Sequence, residues 1–288
     1  MANSAILKSS LAKKYWMALT GLFLCLFLIG HLIGNLQLLS THKYEAAMSF
    51  NQYALFMTTN PAVKVLSYVT YLSLLFHAID GIWLTIQNRK ARPVGYVKNN
   101  PSANTTWASR NMALLGTLVL IFIVTHMASF WARMHFDKDM PLYKVELSAM
   151  GQKQSFYRTT SQQFIPVDQV ASSLAEAHKT GKGKYIQNRT ELYDATAQIK
   201  IGELYKDLHK ITIDFFKQPT YGLFYVILYV ISMIVLAFHL SHGFASSFQS
   251  LGLSHPKYSP FIDKFGLVFS IVTCLLFAII PVYIYFVL

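Results

Sequence analysis

The chain has 288 residues, is 53% hydrophobic and only 13% charged, and has a mean hydropathy of +0.36. So low a charge content excludes an ordinary soluble domain and points to an integral membrane protein. A formal net charge of +12 would suggest nucleic acid for a soluble chain, but in a membrane chain basic residues report loop orientation, and no nucleic-acid partner is expected.

Five apolar runs, over about 15–39, 63–87, 112–132, 221–248 and 265–287, are each long enough to cross about 30 Å of hydrocarbon as a helix rising about 1.5 Å per residue. The first exceeds the apolar core of a signal peptide, contains His31 and Asn35, and lacks an Ala-x-Ala-like exit, so it is expected to stay in the mature protein. Cys25 and Cys274 both sit inside apolar runs, where they act as small hydrophobes and support neither a disulfide framework nor a cysteine-based metal site.

Lys8, Lys13 and Lys14 precede the first run, and the short connection 87–111 carries Arg89, Lys90, Arg92, Lys98 and Arg110. The connection after the first run has little basic charge beyond Lys43, with Lys64 at its far edge. This bias places the N-terminus on the cytoplasmic side and the C-terminus outside, with membrane lipid as the surrounding solvent. The chain then divides into 1–132 with three spans and short loops, 133–219 as an external polar insert, and 220–288 with the last two spans. The 40–62 connector reads as a surface helix with Phe50, Tyr53, Phe56 and Met57 on its apolar face, stopped by Asn60-Pro61. Within the insert, 167–179 and 190–215 read as helical, separated by Thr180-Gly181-Lys182-Gly183. It is expected to be a cap without a catalytic motif. The sequons at Asn104 and Asn188 match a short pattern that carries no weight here.

The chemical signal lies in Phe238-His239-Leu240-Ser241-His242-Gly243. An ionisable side chain inside a span is costly and is a functional-site candidate by default, although one intramembrane imidazole also serves as an interhelical hydrogen-bonding group. Three other runs carry one histidine each, His31, His77 and His126, and imidazole is a common axial ligand of haem iron. Spans one and three run inside to outside, and spans two and four run back. His31 and His126 then lie roughly 6 Å beyond the middle of their helices toward the outer face, and His77 and His239 lie roughly 3 to 8 Å toward the cytoplasm. Two paired layers roughly 10 to 15 Å apart suit two stacked bis-imidazole haems. Such six-coordinate centres transfer electrons and leave no position for a small substrate. His239 is preferred to His242 because Gly243 follows it by four residues, as Gly81 follows His77; His242 then becomes a hydrogen-bonding or propionate partner. Arg133, two turns outward of His126, suits a propionate grip or an ordinary snorkelling end to the span. Gly30 and Gly34 beside His31 suit close approach of a flat macrocycle or plain helix packing. Asp80, the only carboxylate well inside a span, reads as a partner or proton relay to an imidazole, or as an interfacial residue paired with Arg89.

The expected fold class is therefore all-α: an integral membrane bundle of five transmembrane helices, four of them forming a haem-binding core. The sequence resembles the single-chain, five-helix, dihaem cytochrome b subunit of bacterial succinate dehydrogenases and fumarate reductases. The resemblance covers 15–133 and 221–288 and is carried by Gly30-His31-Leu32-Ile33-Gly34-Asn35, Asn88-Arg89-Lys90-Ala91-Arg92-Pro93-Val94-Gly95-Tyr96, Ala108-Ser109-Arg110-Asn111-Met112 and the stretch from Phe238-His239 to Gly252. It implies two haem b groups, with His77 and His239 as the proximal axial pair and His31 and His126 as the distal pair. It also implies a flavoprotein with covalent FAD and an iron-sulfur protein on the cytoplasmic face of a bacterial inner membrane. Electrons would pass to or from a membrane quinone, menaquinone by family habit. Dicarboxylate chemistry would belong to the flavoprotein and not to this chain, and the physiological direction stays open. Two departures stand out: the insert is longer than the family leads one to expect, and Ala237 occupies a position where some members carry a glutamate. Alternative readings are the dihaem cytochrome b of a formate dehydrogenase or hydrogenase, or a haemless anchor or transporter with the histidines as a proton path. A transporter would call for inverted repeats and broken helices, and neither is visible in the sequence.

Overall fold

The computed structural model describes residues 9–41, 43–94, 100, 103, 105–149 and 152–288. The expectations for Lys8, Gly95, Tyr96, Lys98 and Asn104 fall outside them. Five helices are long and apolar enough to cross a membrane. They are α1 (Ser10–Leu36, ending in a 3-10 turn, Gln37–Leu39), α3 (Pro61–Lys90), α5 (Met112–His126), α9 (Gly222–Ser250) and α10 (Ser259–Phe286). Helix α5 runs on through a π-helical segment, Met127–Ala132, into a last turn, α6 (Arg133–Phe136). The five predicted runs coincide with these helices to within a few residues, the helices reaching further into the interfaces.

Their side chains fit a lipid solvent. One long face of α3 leaves Val65, Leu66, Tyr68, Leu72, Leu75 and Ile79 exposed, a stripe too large and apolar to face water. Hydroxyls within the spans bond back to their own helix, Thr70 to Leu66 O, Thr117 to Ala113 O and Ser247 to Gly243 O among them. This is how a polar group is satisfied where no water can reach it. Helix α3 starts where Asn60 accepts hydrogen bonds from the Ala62 and Val63 N–H groups, with Pro61 at the first helical position.

Helices α1, α3, α5 and α9 form a square, with contacts between α1 and α3, α3 and α5, α5 and α9, and α9 and α1. Helix α10 packs outside it, on α9 and α1. The 40–62 connector contains α2 (Lys43–Thr59), which lies over the end of the square that carries the insert. Ala46, Ala47, Met48, Phe50 and Ala54 form its buried apolar side, while Phe56 is exposed. The short helix α4 (Trp107–Arg110) precedes α5 and sets Trp107 against Phe238, with ring centres 5.4 Å apart.

The insert corrects the all-α expectation. It holds an antiparallel sheet β1–β2–β3 (Lys144–Ala149, Gln152–Arg158, Phe164–Pro166) and a second sheet in the order β4–β5–β6–β7 (Val170–Ala171, Lys184–Gln187, Glu191–Asp194, Lys200–Glu203). Among the described residues, its only helices of more than one turn are α7 (Leu174–Thr180) and α8 (Leu208–Lys217). The region predicted as one helix over 190–215 is thus two strands followed by α8, and 167–179 is a 3-10 turn, a short strand and most of α7. Alternation decides this locally: Tyr185 of β5 and Leu192 of β6 are buried while the residues on either side of each are only half-buried. Asn188 and Arg189, at φ 49° and 73°, reverse the chain in a left-handed turn that no helix could absorb.

The insert is stitched to the bundle. Buried Asn51 of α2 donates to Asp207 Oδ1 at 2.9 Å and accepts from the His209 N–H at 3.0 Å. Ala47 and Met48 pack on Tyr143, Val145 and Tyr205. Lys206 donates to Met134 O, and Arg189 to His135 O and Asp137 O, so two cations from the insert cover the terminal carbonyls of α6. Burial holds Lys206 below its ordinary pKa, helped by neighbouring Arg189. Burial likewise holds His209 below the histidine range, with Asp207 pulling the other way.

Candidate functional site

The square places the four histidines on its diagonals. His31 of α1 and His126 of α5 face each other with ring centres 5.9 Å apart and planes at 88°. His77 of α3 and His239 of α9 do the same at 6.2 Å and 75°. A metal bound at about 2.0 Å by one nitrogen of each ring would set the two ring centres about 6 Å apart, so both pairs have the span of a shared ion.

Glycine geometry gives the separation of the tiers. A Cβ on Gly21 of α1 would meet His77 Cε1 at 3.2 Å, and one on Gly116 of α5 would meet His239 Cε1 at 3.5 Å. Gly21 lies ten residues before His31, and Gly116 ten before His126. At about 1.5 Å per residue the tiers are about 15 Å apart along both helices. Each imidazole of the far tier therefore rests against bare backbone of a neighbouring helix. These two glycines escape a reading that looks for small residues beside a histidine in its own helix; the matching spacing in spans one and three is the signal that could have found them.

The glycines named from sequence behave differently. Gly34 makes room for the Tyr53 ring of α2, whose hydroxyl donates to Gly30 O at 3.3 Å, so it serves helix packing. A Cβ on Gly30 or Gly243 would meet nothing within 4 Å, and one on Gly81 would meet only Met17 Cε at 3.8 Å. Asn35 donates to His31 O at 2.7 Å.

Hydrogen bonds orient one imidazole of each pair. Thr20 donates its hydroxyl proton to Trp16 O at 2.8 Å, with Met17 O at 3.1 Å, and contacts His77 Nδ1 at 3.3 Å. With that proton directed to the helix carbonyls, the Thr20 oxygen is free to accept from a His77 ring protonated on Nδ1, the tautomer that leaves the lone pair on Nε2. In the other tier, His126 Nδ1 lies 3.3 Å from the Tyr229 hydroxyl. His239 Nδ1 is buried with no hydrogen-bond partner, a state that costs about 1–3 kcal/mol.

The tier near the insert is walled by rings. Phe27 stacks on His31, Phe122 on His126, and Phe130 and Tyr229 lie within 6.1 Å of His126. Phe216 of α8 closes on Tyr229 at 4.9 Å and Phe215 on Phe130 at 5.1 Å. The π-helical segment starts one residue after His126; such one-residue expansions re-aim side chains and recur at functional sites.

Other predicted residues stand apart. His242 lies one turn beyond His239 on α9, toward its C-terminal end. Arg133 is 45% exposed and bonds Asp137 Oδ2 at 3.2 Å, so its guanidinium closes the helix end instead of reaching into the bundle. Asp80 interacts electrostatically with Lys13 and His77, while Lys13 itself covers the Trp83 ring at 4.2 Å. No group of three or more metal-ligating side chains occurs among the described residues, so each tier offers an ion two imidazoles. Two opposed imidazoles per tier, on helices whose glycines admit the far-tier rings, are a donor set that fits an axially ligated porphyrin. No family model, curated protein or solved structure matches this chain.

Proposed function

We propose that the chain is the membrane-anchor and electron-relay subunit of a succinate:quinone oxidoreductase, holding two haem b groups. The observation that carries the reading is the pair of diagonal imidazole contacts at 5.9 and 6.2 Å, repeated at two depths on the same four helices. His31 and His126 are the axial pair nearer the insert, and His77 and His239 are the far pair. When bound, each group would be held by its two histidines and would supply one-electron transfer. The chain's own work is to oppose the rings, exclude water with its aromatic and aliphatic walls, and hold the tiers about 15 Å apart. The basic 87–111 connection faces the cytoplasm in this reading and receives the iron-sulfur subunit, which in turn carries the flavoprotein; the insert lies outside. Quinone, with menaquinone as first choice, is the membrane-side electron partner.

The test is affinity purification of the full chain from its own membranes in mild detergent, followed by addition of succinate under anaerobic conditions. Copurification of a flavoprotein and an iron-sulfur protein, with reduction of a b-type cytochrome spectrum by succinate, supports the assignment. A b-type spectrum with different partners and no response to succinate assigns the chain to another quinone-linked dehydrogenase.

A further inference from the structure

The hydroxyl contacts to His77 and His126 do more than fill space. We propose that Thr20 and Tyr229 are positioning residues, each fixing the tautomer and ring orientation of one axial imidazole and tuning the potential of its own tier; this rests on the haem reading above.

The argument begins with proton accounting. The Thr20 hydroxyl has one proton, and Trp16 O takes it at 2.8 Å. Met17 O lies 3.1 Å from the same hydroxyl, so with the proton directed to the helix carbonyls the third contact, to His77 Nδ1 at 3.3 Å, is read as running from the ring to the oxygen. Nδ1–H is fixed toward α1, and Nε2 is the nitrogen left to bind a metal. Gly21, beside Thr20, keeps the opposing backbone within 3.2 Å of His77 Cε1 as measured to a notional Cβ, so the ring has little freedom to turn away. The Tyr229 hydroxyl meets His126 Nδ1 at the same 3.3 Å, and its ring is clamped by Phe122 at 5.0 Å and Phe216 at 4.9 Å. With Nε2 of His126 taken as the ligating nitrogen of the haem reading, Nδ1 carries the proton and the Tyr229 oxygen is its acceptor.

The arrangement is asymmetric within each tier. No hydroxyl meets His239 Nδ1, which is buried without a partner, and the ring contacts of His31 are with Phe27, Phe277 and His126. One ligand of each pair is thus latched and the other is held by packing alone. An acceptor on Nδ1–H makes the ligating nitrogen more electron-rich and favours the oxidised metal. Removing the acceptor therefore raises the midpoint potential of that tier and leaves the other unchanged, because Thr20 and Tyr229 serve different depths.

The experiment is an anaerobic redox titration of the membrane-bound full chain, followed in the α-band, for the unaltered protein and for Thr20→Val, Thr20→Ser and Tyr229→Phe. We expect Thr20→Val to shift one midpoint upward by roughly threefold in the reduction equilibrium, about 28 mV at about 59 mV per tenfold for one electron. Thr20→Ser should restore it, and Tyr229→Phe should shift the other midpoint. Low-spin ferric EPR should change in the same tier, since the ring is freed to rotate. Loss of one haem from Thr20→Val with its retention in Thr20→Ser also supports the proposal. Two retained haems whose midpoints and EPR signals are unmoved in both Thr20→Val and Tyr229→Phe overturn it, as does Thr20→Ser behaving like Thr20→Val. Absence of haem from the unaltered protein overturns the haem reading itself, a separate and earlier failure.

Discussion

The two imidazole tiers reach nearly the same ring separation by different means. In the far tier, His77 and His239 are set by the absence of side chains: Gly21 and Gly116 let each ring lie against the backbone of the neighbouring helix. In the tier near the insert, His31 and His126 are set by an excess of them, with Phe27, Phe122, Phe130 and Tyr229 around the rings and Phe215 and Phe216 closing the outside. A geometry fixed by gaps is sensitive to adding one carbon, whereas one fixed by packing is sensitive to removing rings or the element that brings them. The two tiers should therefore fail under different substitutions.

The largest separation comes from the ligands. His31→Ala should abolish the haem near the insert and spare the far one, and His239→Ala should do the reverse, each halving the haem content of the purified chain. His242→Ala should retain both; loss of both from that variant, with none lost from His239→Ala, would reassign the far ligand. Next in size is Gly21→Val, which forces carbon into the 3.2 Å approach to His77 and should lower far-tier occupancy alone, while Gly30→Ala, with nothing within 4 Å, should change neither tier. Equal losses from both glycine variants would refute the gap account.

Smaller effects belong to the seam between insert and bundle. Asn51→Leu removes a buried side chain that bonds both Asp207 and the His209 backbone and should cost about 1–3 kcal/mol. It should appear as earlier thermal release of the insert and faster proteolysis within it, with the tier near the insert disturbed before the far one. The smallest effect is of pH. His209 is held neutral in the seam below its ordinary pKa, so the unfolded chain binds more protons than the folded one between the lowered value and about 6.5. The seam's stability is then complete above that ordinary value and falls as pH drops toward the lowered one. A thermal-unfolding series from pH 7.5 to 5 should show this slope, and His209→Phe should flatten it.

Much of the bundle is legible in the sequence because length and hydropathy determine spans, and the turn signal Asn60-Pro61 marks the boundary between α2 and α3. The pairing of histidines by depth follows from the alternating direction of the helices. What stays hidden needs neighbours across helices. Gly21, Gly116, Thr20 and Tyr229 act on rings of other helices, and nothing adjacent to them in sequence announces it. The π-helical segment after His126 has no periodicity of its own to betray it. The insert misleads because its strands are two to seven residues long and joined at left-handed residues such as Gln162, Asn188, Arg189 and Gln198. None of these is glycine, so the usual turn punctuation is missing.

The central claim is that two diagonal imidazole pairs each hold one iron porphyrin. Haem b quantified per polypeptide on the purified, folded full chain, with low-temperature EPR of the oxidised form, tests it most directly. The account predicts two haems per chain and strongly anisotropic low-spin signals from near-perpendicular imidazole planes. A stable, folded, colourless protein, or a single haem that survives loss of His31 and of His239 alike, would contradict it.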